Sequence, residues 1–288
     1  MSTLELQFAA LLILFSFLRP VLLRPCAVRF SARTTPAFIT MWVMLGIVVM
    51  LPWCYPHLVE AAPVLVENPL IVAIALVKGV GLWLCIYLEQ ELRRVSMSSS
   101  VFVRPASLGI IALVNAALGE QLNVWQWTAT GALTLLGFLF MLKGHFITLT
   151  LRQKAFYVTV LLLSVVPLTA DQYVLSQVNW FTHLVLYTLG MFAMSFAMRT
   201  TRAEWMQGVP NNSAIYAGVV WVVSEVFTLY AMSHVLPVSV AGLCMTLPIP
   251  VIMVMSALRW HEQSWKLQAF FGALALAASL PMFFMATP

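Results

Sequence analysis

Charged side chains inside apolar stretches are the residues of this sequence that could do chemistry. Lys78, Arg104 and Glu225 lie near the middle of such stretches, and Arg19 and Asp171 lie closer to an end. An Arg, Lys or Asp at the centre of a membrane-spanning helix costs roughly 2.5–3.5 kcal/mol of insertion free energy, so it usually faces the protein interior or a water-filled cavity. These positions predict a polar site within the apolar part of the protein.

The signs of these charges indicate what such a site could bind. Lys78, Arg104 and Glu225 together carry one net positive charge, which a carboxylate or phosphate on a ligand would neutralise. Glu225 and Asp171 are candidates for carrying a proton, because a carboxylate held in a membrane is costly as an anion. The competing interpretation is that Lys78 and Glu225 form a buried salt bridge that only fixes helix packing.

Charged residues near the end of a span have a simpler explanation. Arg19 lies about one turn from the basic end of its span, so we expect its side chain to snorkel to the interface. His183 and His234 are also near span ends, where we expect interfacial positions. Asp171 could likewise reach the headgroups, and for it the structural and functional interpretations stay open.

Helical spacing places further residues beside the charged ones. Ser100, Arg104 and Ser107 recur at three- or four-residue steps, as do Trp221 and Glu225, so each set marks one face of a helix. Lipid would disfavour such a polar face, which indicates a cavity lining. With the nearby aromatic residues, the predicted solute-binding set is Lys78, Arg104, Trp221, Glu225, Tyr87, Tyr230, Ser100 and Ser107.

Prolines interrupt two of the predicted spans at matching places. Pro105 lies in the fourth span, and Pro248 and Pro250 lie in the ninth. A proline frees backbone groups that can bind a solute, and broken helices at corresponding positions mark the midplane site of many transporters. We therefore assign these three prolines as hinges.

The elements that carry these residues must be membrane-spanning helices. Of 288 residues, 62% are hydrophobic and only 9% are charged, with a mean hydropathy of +0.94, which excludes an ordinary soluble globule. An open sheet would leave backbone groups unpaired in lipid. Helical spans are predicted at about 4–23, 38–56 (ended by Pro52 and Pro56), 70–88, 155–176, 180–198 and 214–234, together with two hairpins of two spans each.

The two hairpins share a pattern that predicts an internal repeat. The first, at 96–144, joins its spans through Gly119-Glu120-Gln121, and the second has Glu262-Gln263 at the matching place. The offsets between landmarks are nearly constant: Tyr87 and Tyr230, like Pro105 and Pro248, are 143 residues apart, Glu120 and Glu262 are 142 apart, and Gly131 and Gly272 are 141 apart. One unit is therefore predicted to occur twice.

This arrangement resembles the EamA-type transporters of the drug/metabolite transporter superfamily. The resemblance rests on the proline-containing span, the Gly-Glu or His-Glu dipeptide in a short loop, and the following Gly-Ala-Leu helix, repeated after about 140 residues. It covers nearly the whole chain. It implies an all-α integral membrane protein with ten transmembrane helices in two inverted five-helix repeats, 1–150 and 151–288, around a central solute site.

The expected function is secondary transport of a small amphipathic metabolite, amino-acid-like or otherwise anionic, by alternating access. The alternatives are a flippase for a lipid-linked anion, a transporter of cationic or drug-like solutes, and a membrane enzyme or a non-enzymatic assembly subunit. The sequence shows no HExxH, Walker A, GxSxG or metal-spaced Cys/His motif, which weakens the enzyme interpretation, so no catalytic residue, metal or cofactor is assigned. Lipids, a solute and protons are the expected partners. Nucleic acid is not, and a homodimer is allowed.

Loop charges predict the topology. With ten spans, the turns on one side contain all of the following basic residues: Arg24, Arg29, Arg33, Arg93, Arg94, Lys143, Arg152, Lys154, Arg199, Arg202, Arg259 and Lys266. Cytoplasmic loops carry the excess of Lys and Arg, so both termini are predicted on the non-cytoplasmic side, in a bacterial inner membrane. Members of the resembled superfamily usually have cytoplasmic termini, so the prediction departs from that pattern.

Overall fold

The computed structural model describes residues 3–143, 150–206, 212–261 and 265–279. These ranges contain thirteen helices and no strand. In chain order the helices are α1 (Thr3–Arg29), α2 (Thr34–Glu67), α3 (Pro69–Val95), α4 (Met97–Ala117), α5 (Val124–Lys143), α6 (Leu151–Leu163), α7 (Val165–Leu175), α8 (Trp180–Ala197), α9 (Arg202–Met206), α10 (Asn212–His234), α11 (Val238–Cys244), α12 (Ile249–Arg259) and α13 (Trp265–Ser279).

The helices identify an all-α, multi-pass integral membrane protein. Within the described ranges, seven helical segments are long and apolar enough to cross a membrane. They are α1, α2, α3, α8 and α10, together with two segments, Leu151–Leu175 and Val238–Arg259, that each combine two consecutive helices. Many of their large apolar side chains are exposed at the surface, as expected where the solvent is lipid.

The second span is longer than the sequence predicts. α2 continues through Pro52 and Pro56 and ends at Glu67, so the prediction that these prolines end it is wrong. Neighbouring helices can satisfy the backbone groups that irregular membrane helices leave free. Beyond Pro52 and Pro56, α2 is also tied to the start of α8: the His57 carbonyl, which none of the α2 prolines deprives of its helical donor, accepts hydrogen bonds from Asn179 Nδ2 (2.8 Å) and Thr182 Oγ1 (3.1 Å).

The prolines of the two hairpins act differently. α4 runs through Pro105 without a break, so the interruption expected there is absent. The second hairpin does break: α11 ends at Cys244, and α12 begins at Ile249. Pro248 and Pro250 stand two residues apart and remove two backbone donors, whereas one missing donor is tolerated in α4.

α3 lies at the centre of the bundle and packs closely against α8. It contacts α1, α2, α4, α6, α7 and α8. A Cβ atom on Gly79 would lie 1.9 Å from the Tyr187 carbonyl oxygen, and one on Gly190 would lie 2.3 Å from the Leu76 carbonyl oxygen. The two glycines therefore permit a backbone approach that no other residue type would allow. This approach brings Lys78 of α3 beside the polar face of α8.

The loop between α4 and α5 reaches across to the second half of the chain. Gly119 has a φ of 98°, a left-handed conformation that favours glycine. The adjacent Glu120 accepts hydrogen bonds from Ser239 through Oε1 (backbone N–H, 2.8 Å) and Oε2 (side-chain hydroxyl, 2.5 Å). Glu120 thus caps the start of α11, which has no side-chain cap of its own. The matching Glu262-Gln263 lies outside the described residues.

Candidate functional site

A cavity of about 110 Å³ lies among α1, α3, α4, α7, α10 and α11. A cavity needs about 10–15 Å³ of such volume to hold one water molecule, so this cavity can hold several waters or a small solute. Its charged lining consists of Arg19, Lys78, Glu89, Asp171 and Glu225. The apolar part of its wall includes Leu82, Leu108, Ile111, Leu168, Leu229 and Met232. A solute there would meet both charged and apolar groups.

Lys78 is at the centre of the first charged group. Its side chain is about 2% exposed, and its ammonium contacts Asp171 Oδ1. The same carboxylate oxygen lies 2.7 Å from His183 Nε2, and that nitrogen lies 3.3 Å from the ammonium. Nε2 can either donate to Asp171 or accept from Lys78, because a single ring nitrogen cannot do both. The ammonium also lies 4.1 Å from the centre of the Tyr187 ring.

Arg19 and Glu225 form the second charged group. Arg19 Nη2 lies 2.8 Å from Glu225 Oε1, and the guanidinium carbon lies 4.5 Å from the centre of the Trp221 ring. The Tyr187 hydroxyl donates to Glu225 Oε2 over 2.9 Å. Each cation in the cavity therefore has one carboxylate and one aromatic ring as partners. Tyr187 joins the two groups, with its ring on Lys78 and its hydroxyl on Glu225.

This pairing changes the electrostatic picture that the sequence predicts. Lys78 pairs with Asp171, so the competing interpretation from the sequence, a Lys78–Glu225 salt bridge, is wrong. The formal charges of Arg19, Lys78, Asp171 and Glu225 cancel, and Glu89, the fifth charged residue of the lining, is paired with Arg93. The net positive charge assigned from the sequence omitted Arg19 and Asp171, and it included Arg104, whose side chain lies outside the described residues. A balanced set of charges suits a solute that carries both signs, or neither, better than a simple anion.

Two residues of the site are buried, although their positions in the sequence predict the membrane interface. Arg19 is buried and paired across the bundle, and α1 continues to Arg29, so Arg19 does not lie one turn from the helix end as the predicted span implies. His183 is fully buried, because the close approach of α3 and α8 covers the first turn of α8. The sequence signal that could have indicated a buried Arg19 is the carboxylate of Glu225 in another apolar span, with which it pairs. Nothing in the local sequence marks His183.

Glu89 extends the charged lining along α3. Lys78, Leu82, Cys85 and Glu89 all line the cavity at three- or four-residue steps, and so form one stripe of the helix. The Glu89 carboxylate contacts the Arg93 guanidinium one turn further on. The sequence pattern predicts Arg93 in a turn, and it does not place Glu89 among the site residues. The i, i+4 spacing of Glu and Arg was the signal for this pair.

The other predicted solute-binding residues are divided between the cavity and its surroundings. Ser107 lines the cavity, and Ser100 is buried elsewhere on α4. Tyr87 stacks on Trp83 with ring centres 5.9 Å apart. Tyr230 is 41% exposed and stacks against Phe8. The Trp221 ring contacts the guanidinium of Arg19, which lines the cavity.

The break in the second hairpin opens onto the cavity. Met245 and Thr246, which belong to the turn between α11 and α12, are part of the lining. Thr246 N–H bonds to the Leu243 carbonyl (3.0 Å) in a tight turn, so the regular helical bonding is interrupted there. Pro248 and Pro250 follow directly. Irregular backbone at membrane depth is tolerated where it lines a cavity, and it can supply hydrogen bonds to a solute.

Comparison of the chain with protein-family models and with curated proteins gave no match.

Proposed function

We propose that this protein is a ten-helix secondary transporter of the drug/metabolite type. One observation carries the proposal: both central ion pairs join the first half of the chain to the second, and both line one cavity. Arg19 and Lys78 come from the first half, whereas Glu225 and Asp171 come from the second. A site built at the interface of two halves can open to either side when the halves rock against each other.

Ten spans follow if shorter apolar helices also cross the membrane. Besides the seven long segments, the described residues contain the apolar helices Pro105–Ala117, Val124–Phe140 and Ala269–Ala278. These complete five spans in 1–150 and five in 151–288. Because five is odd, the second unit starts from the opposite side of the membrane, which gives inverted repeats. The sequence resemblance to EamA-type transporters supports the same arrangement.

The proposed solute is a small amphipathic metabolite, amino-acid-like or otherwise bearing an anionic group. Apolar side chains provide one part of the cavity wall, and the paired charges provide the other. Asp171 and Glu225 are the carboxylates that can take up a coupling proton, and the break at Pro248 and Pro250 is the proposed hinge. We place the protein in a bacterial inner membrane, with both termini on the non-cytoplasmic side.

Flux through proteoliposomes tests the proposal. Purified protein is first screened with small metabolites for shifts in its thermal unfolding temperature, and the compounds that stabilise it are then assayed for uptake. We expect saturable flux above that of protein-free liposomes. Arg19→Gln, in the cavity, should lower this flux at least tenfold, and Arg202→Gln, on the exposed short helix α9, should leave it unchanged. Equal flux in the presence and absence of protein for every stabilising compound contradicts the proposal.

A further inference from the structure

The surroundings of Lys78 have the composition of a binding site for an alkylammonium group. The Asp171 carboxylate supplies the opposite charge, and the Tyr187 ring presents its face at 4.1 Å. His183 Nε2 lies 3.3 Å from the ammonium and can accept from it in the appropriate tautomer. Carboxylates and aromatic faces are the groups by which proteins recognise ligand ammonium ions. In this structure the protein's own lysine occupies the position.

The ion pair of this cluster is within reach of a solute. Both Lys78 and Asp171 line the cavity, so a molecule in the cavity can touch the ion pair directly. Lysine holds its charge at the end of a flexible four-carbon chain and presents no fixed fork of donors. It can therefore withdraw from Asp171 without movement of the α3 backbone. Arg19 is different, because its planar guanidinium stacks on Trp221 and is held there.

We propose that the Lys78 ammonium is a tethered occupant of a solute ammonium site formed by Asp171, Tyr187 and His183. This inference rests on the proposed transport function and adds the group by which the solute is recognised. An entering ammonium takes the place of Lys78 at Asp171, and the released lysine is left facing the cavity. If the solute also carries an anionic group, Lys78 pairs with it, so the charge of the cavity is conserved throughout the exchange.

Chemical rescue of a lysine variant tests the site without any assay of transport. Lys78→Ala removes the occupant and leaves Asp171 buried without its cation, so the thermal unfolding temperature should fall. Propylammonium, which replaces the missing part of the side chain, should restore at least half of that loss in a saturable manner. Potassium chloride at equal ionic strength and propanol should restore none. Lys266→Ala, at an exposed site on α13, should show neither the loss nor the rescue.

A second variant assigns the rescue to Asp171. In Lys78→Ala/Asp171→Asn the carboxylate is absent, so propylammonium should have no effect on the unfolding temperature. Rescue of both variants alike, or of neither, overturns the inference. Should Lys78→Ala fail to purify, alkylation of Cys85 decides, because that thiol lines the same cavity. With the other three cysteines replaced by serine, propylammonium should slow maleimide labelling at least threefold and propanol should not. Equal labelling rates overturn the inference.

The rescue and the flux assay fail independently of each other. Rescue is an equilibrium measurement on the purified protein and needs no movement of solute across a membrane. Saturable flux without rescue contradicts the proposed ammonium site but supports the proposed transport function. Rescue of the lysine variant, with no flux for any stabilising compound, supports the ammonium site and contradicts the transport function.

Discussion

Lys78 and Asp171 are so deeply buried that either charge without the other would lower the stability of the fold. Removing one partner of a buried ion pair typically costs about 3–5 kcal/mol, whereas removing both can be nearly neutral. The additional contacts to His183 and Tyr187 compensate further for the loss of water. The stability of this pair is therefore a property of the four side chains together.

We predict that Lys78→Met and Asp171→Asn each lower the stability of the protein, and that the double variant recovers most of the loss. Each single variant leaves one charge buried without its partner, and the double variant leaves none. Thermal unfolding of the three variants and the wild type in one detergent measures this. A double variant less stable than both single variants contradicts a simple ion pair, because the losses would then add.

At Glu225 we predict an effect on energy coupling. Glu225→Gln keeps the size of the side chain and an acceptor for the Tyr187 hydroxyl, but an amide cannot take up a proton. Accumulation driven by a proton gradient should be abolished while solute exchange continues. Both are measured in proteoliposomes, with the exposed Glu60→Gln as control. Full gradient-driven accumulation in Glu225→Gln assigns this residue a structural role only.

Single residues were predictable where a charge interrupts an apolar span. Lys78, Asp171 and Glu225 are visible in the sequence for this reason, because lipid tolerates such groups poorly. Their partners were not visible, since residues 93 positions apart, such as Lys78 and Asp171, meet only through the packing of helices. His183 has no charge-based signal, as histidine is common near span ends.

At the scale of elements, the contact between α3 and α8 sets the geometry of the site. Lys78 lies next to Gly79, and Tyr187 and His183 lie within two turns of Gly190. The absence of side chains at both glycines lets the two backbones meet. The distances around Lys78 therefore depend on residues that make no polar contact with it.

We predict that Gly190→Ala lowers stability by about 1–3 kcal/mol, because the added methyl group would lie 2.3 Å from a backbone oxygen that cannot rotate away. Gly131→Ala in α5 is the matched control, since nothing lies within 4 Å of its new methyl group. It should be neutral or stabilising by up to about 1 kcal/mol. Thermal unfolding measures both variants, and equal effects would show that close packing of α3 on α8 is not required.

Glu120 provides a test of the connection between the two hairpins. Glu120→Ala leaves the backbone N–H and hydroxyl of Ser239 without this acceptor, at a cost of about 1–3 kcal/mol. Hydrogen exchange should accelerate in α11 more than in α8. Gln121→Ala, on the neighbouring exposed residue, is the control and should change neither quantity. Unchanged exchange in α11 would show that the cap does not hold this helix.

Helices were more predictable than their ends. Apolar length placed the first, third, seventh and eighth spans close to where they lie, because lipid requires about 20 apolar residues per helix. The predictions based on proline were wrong in α2 and α4, because both helices continue through the prolines expected to end or interrupt them. Whether a freed carbonyl finds a new partner depends on the neighbouring helix, and the local sequence contains no information on that.

At the scale of the whole molecule, basic residues gather where several helices end. The Arg94 guanidinium donates to the carbonyls of Ala27 (2.8 Å) and Phe30 at the end of α1. Arg33, at the start of α2, donates to the Met198 carbonyl at the end of α8 over 3.5 Å. These contacts bring the ends of α1, α3 and α8 and the start of α2 to one face of the bundle.

We predict that this face is cytoplasmic and that both termini lie on the other side. A reporter that is active only in the cytoplasm, fused to either terminus, should stay inactive. The same reporter inserted between α5 and α6 should be active. Activity at one terminus alone indicates an odd number of spans, and activity at both inverts the proposed topology.

Composition was sufficient to predict a helical membrane protein, since few charges and high hydropathy leave no alternative class. The inverted repeat and the transport function stay predictions. They concern symmetry and motion, and one arrangement of the helices does not test either of them.

The central ion pairs also have a consequence for biosynthesis. Ribosomes make the chain from its N-terminus, so Arg19 and Lys78 enter the membrane well before Glu225 and Asp171 exist. Each such cation costs roughly 2.5–3.5 kcal/mol at a helix centre until its counter-charge arrives. The early helices therefore depend on the late ones to stay inserted. A nascent chain arrested before Asp171 should be a substrate for membrane quality control, and supplying 151–288 as a separate polypeptide should protect it.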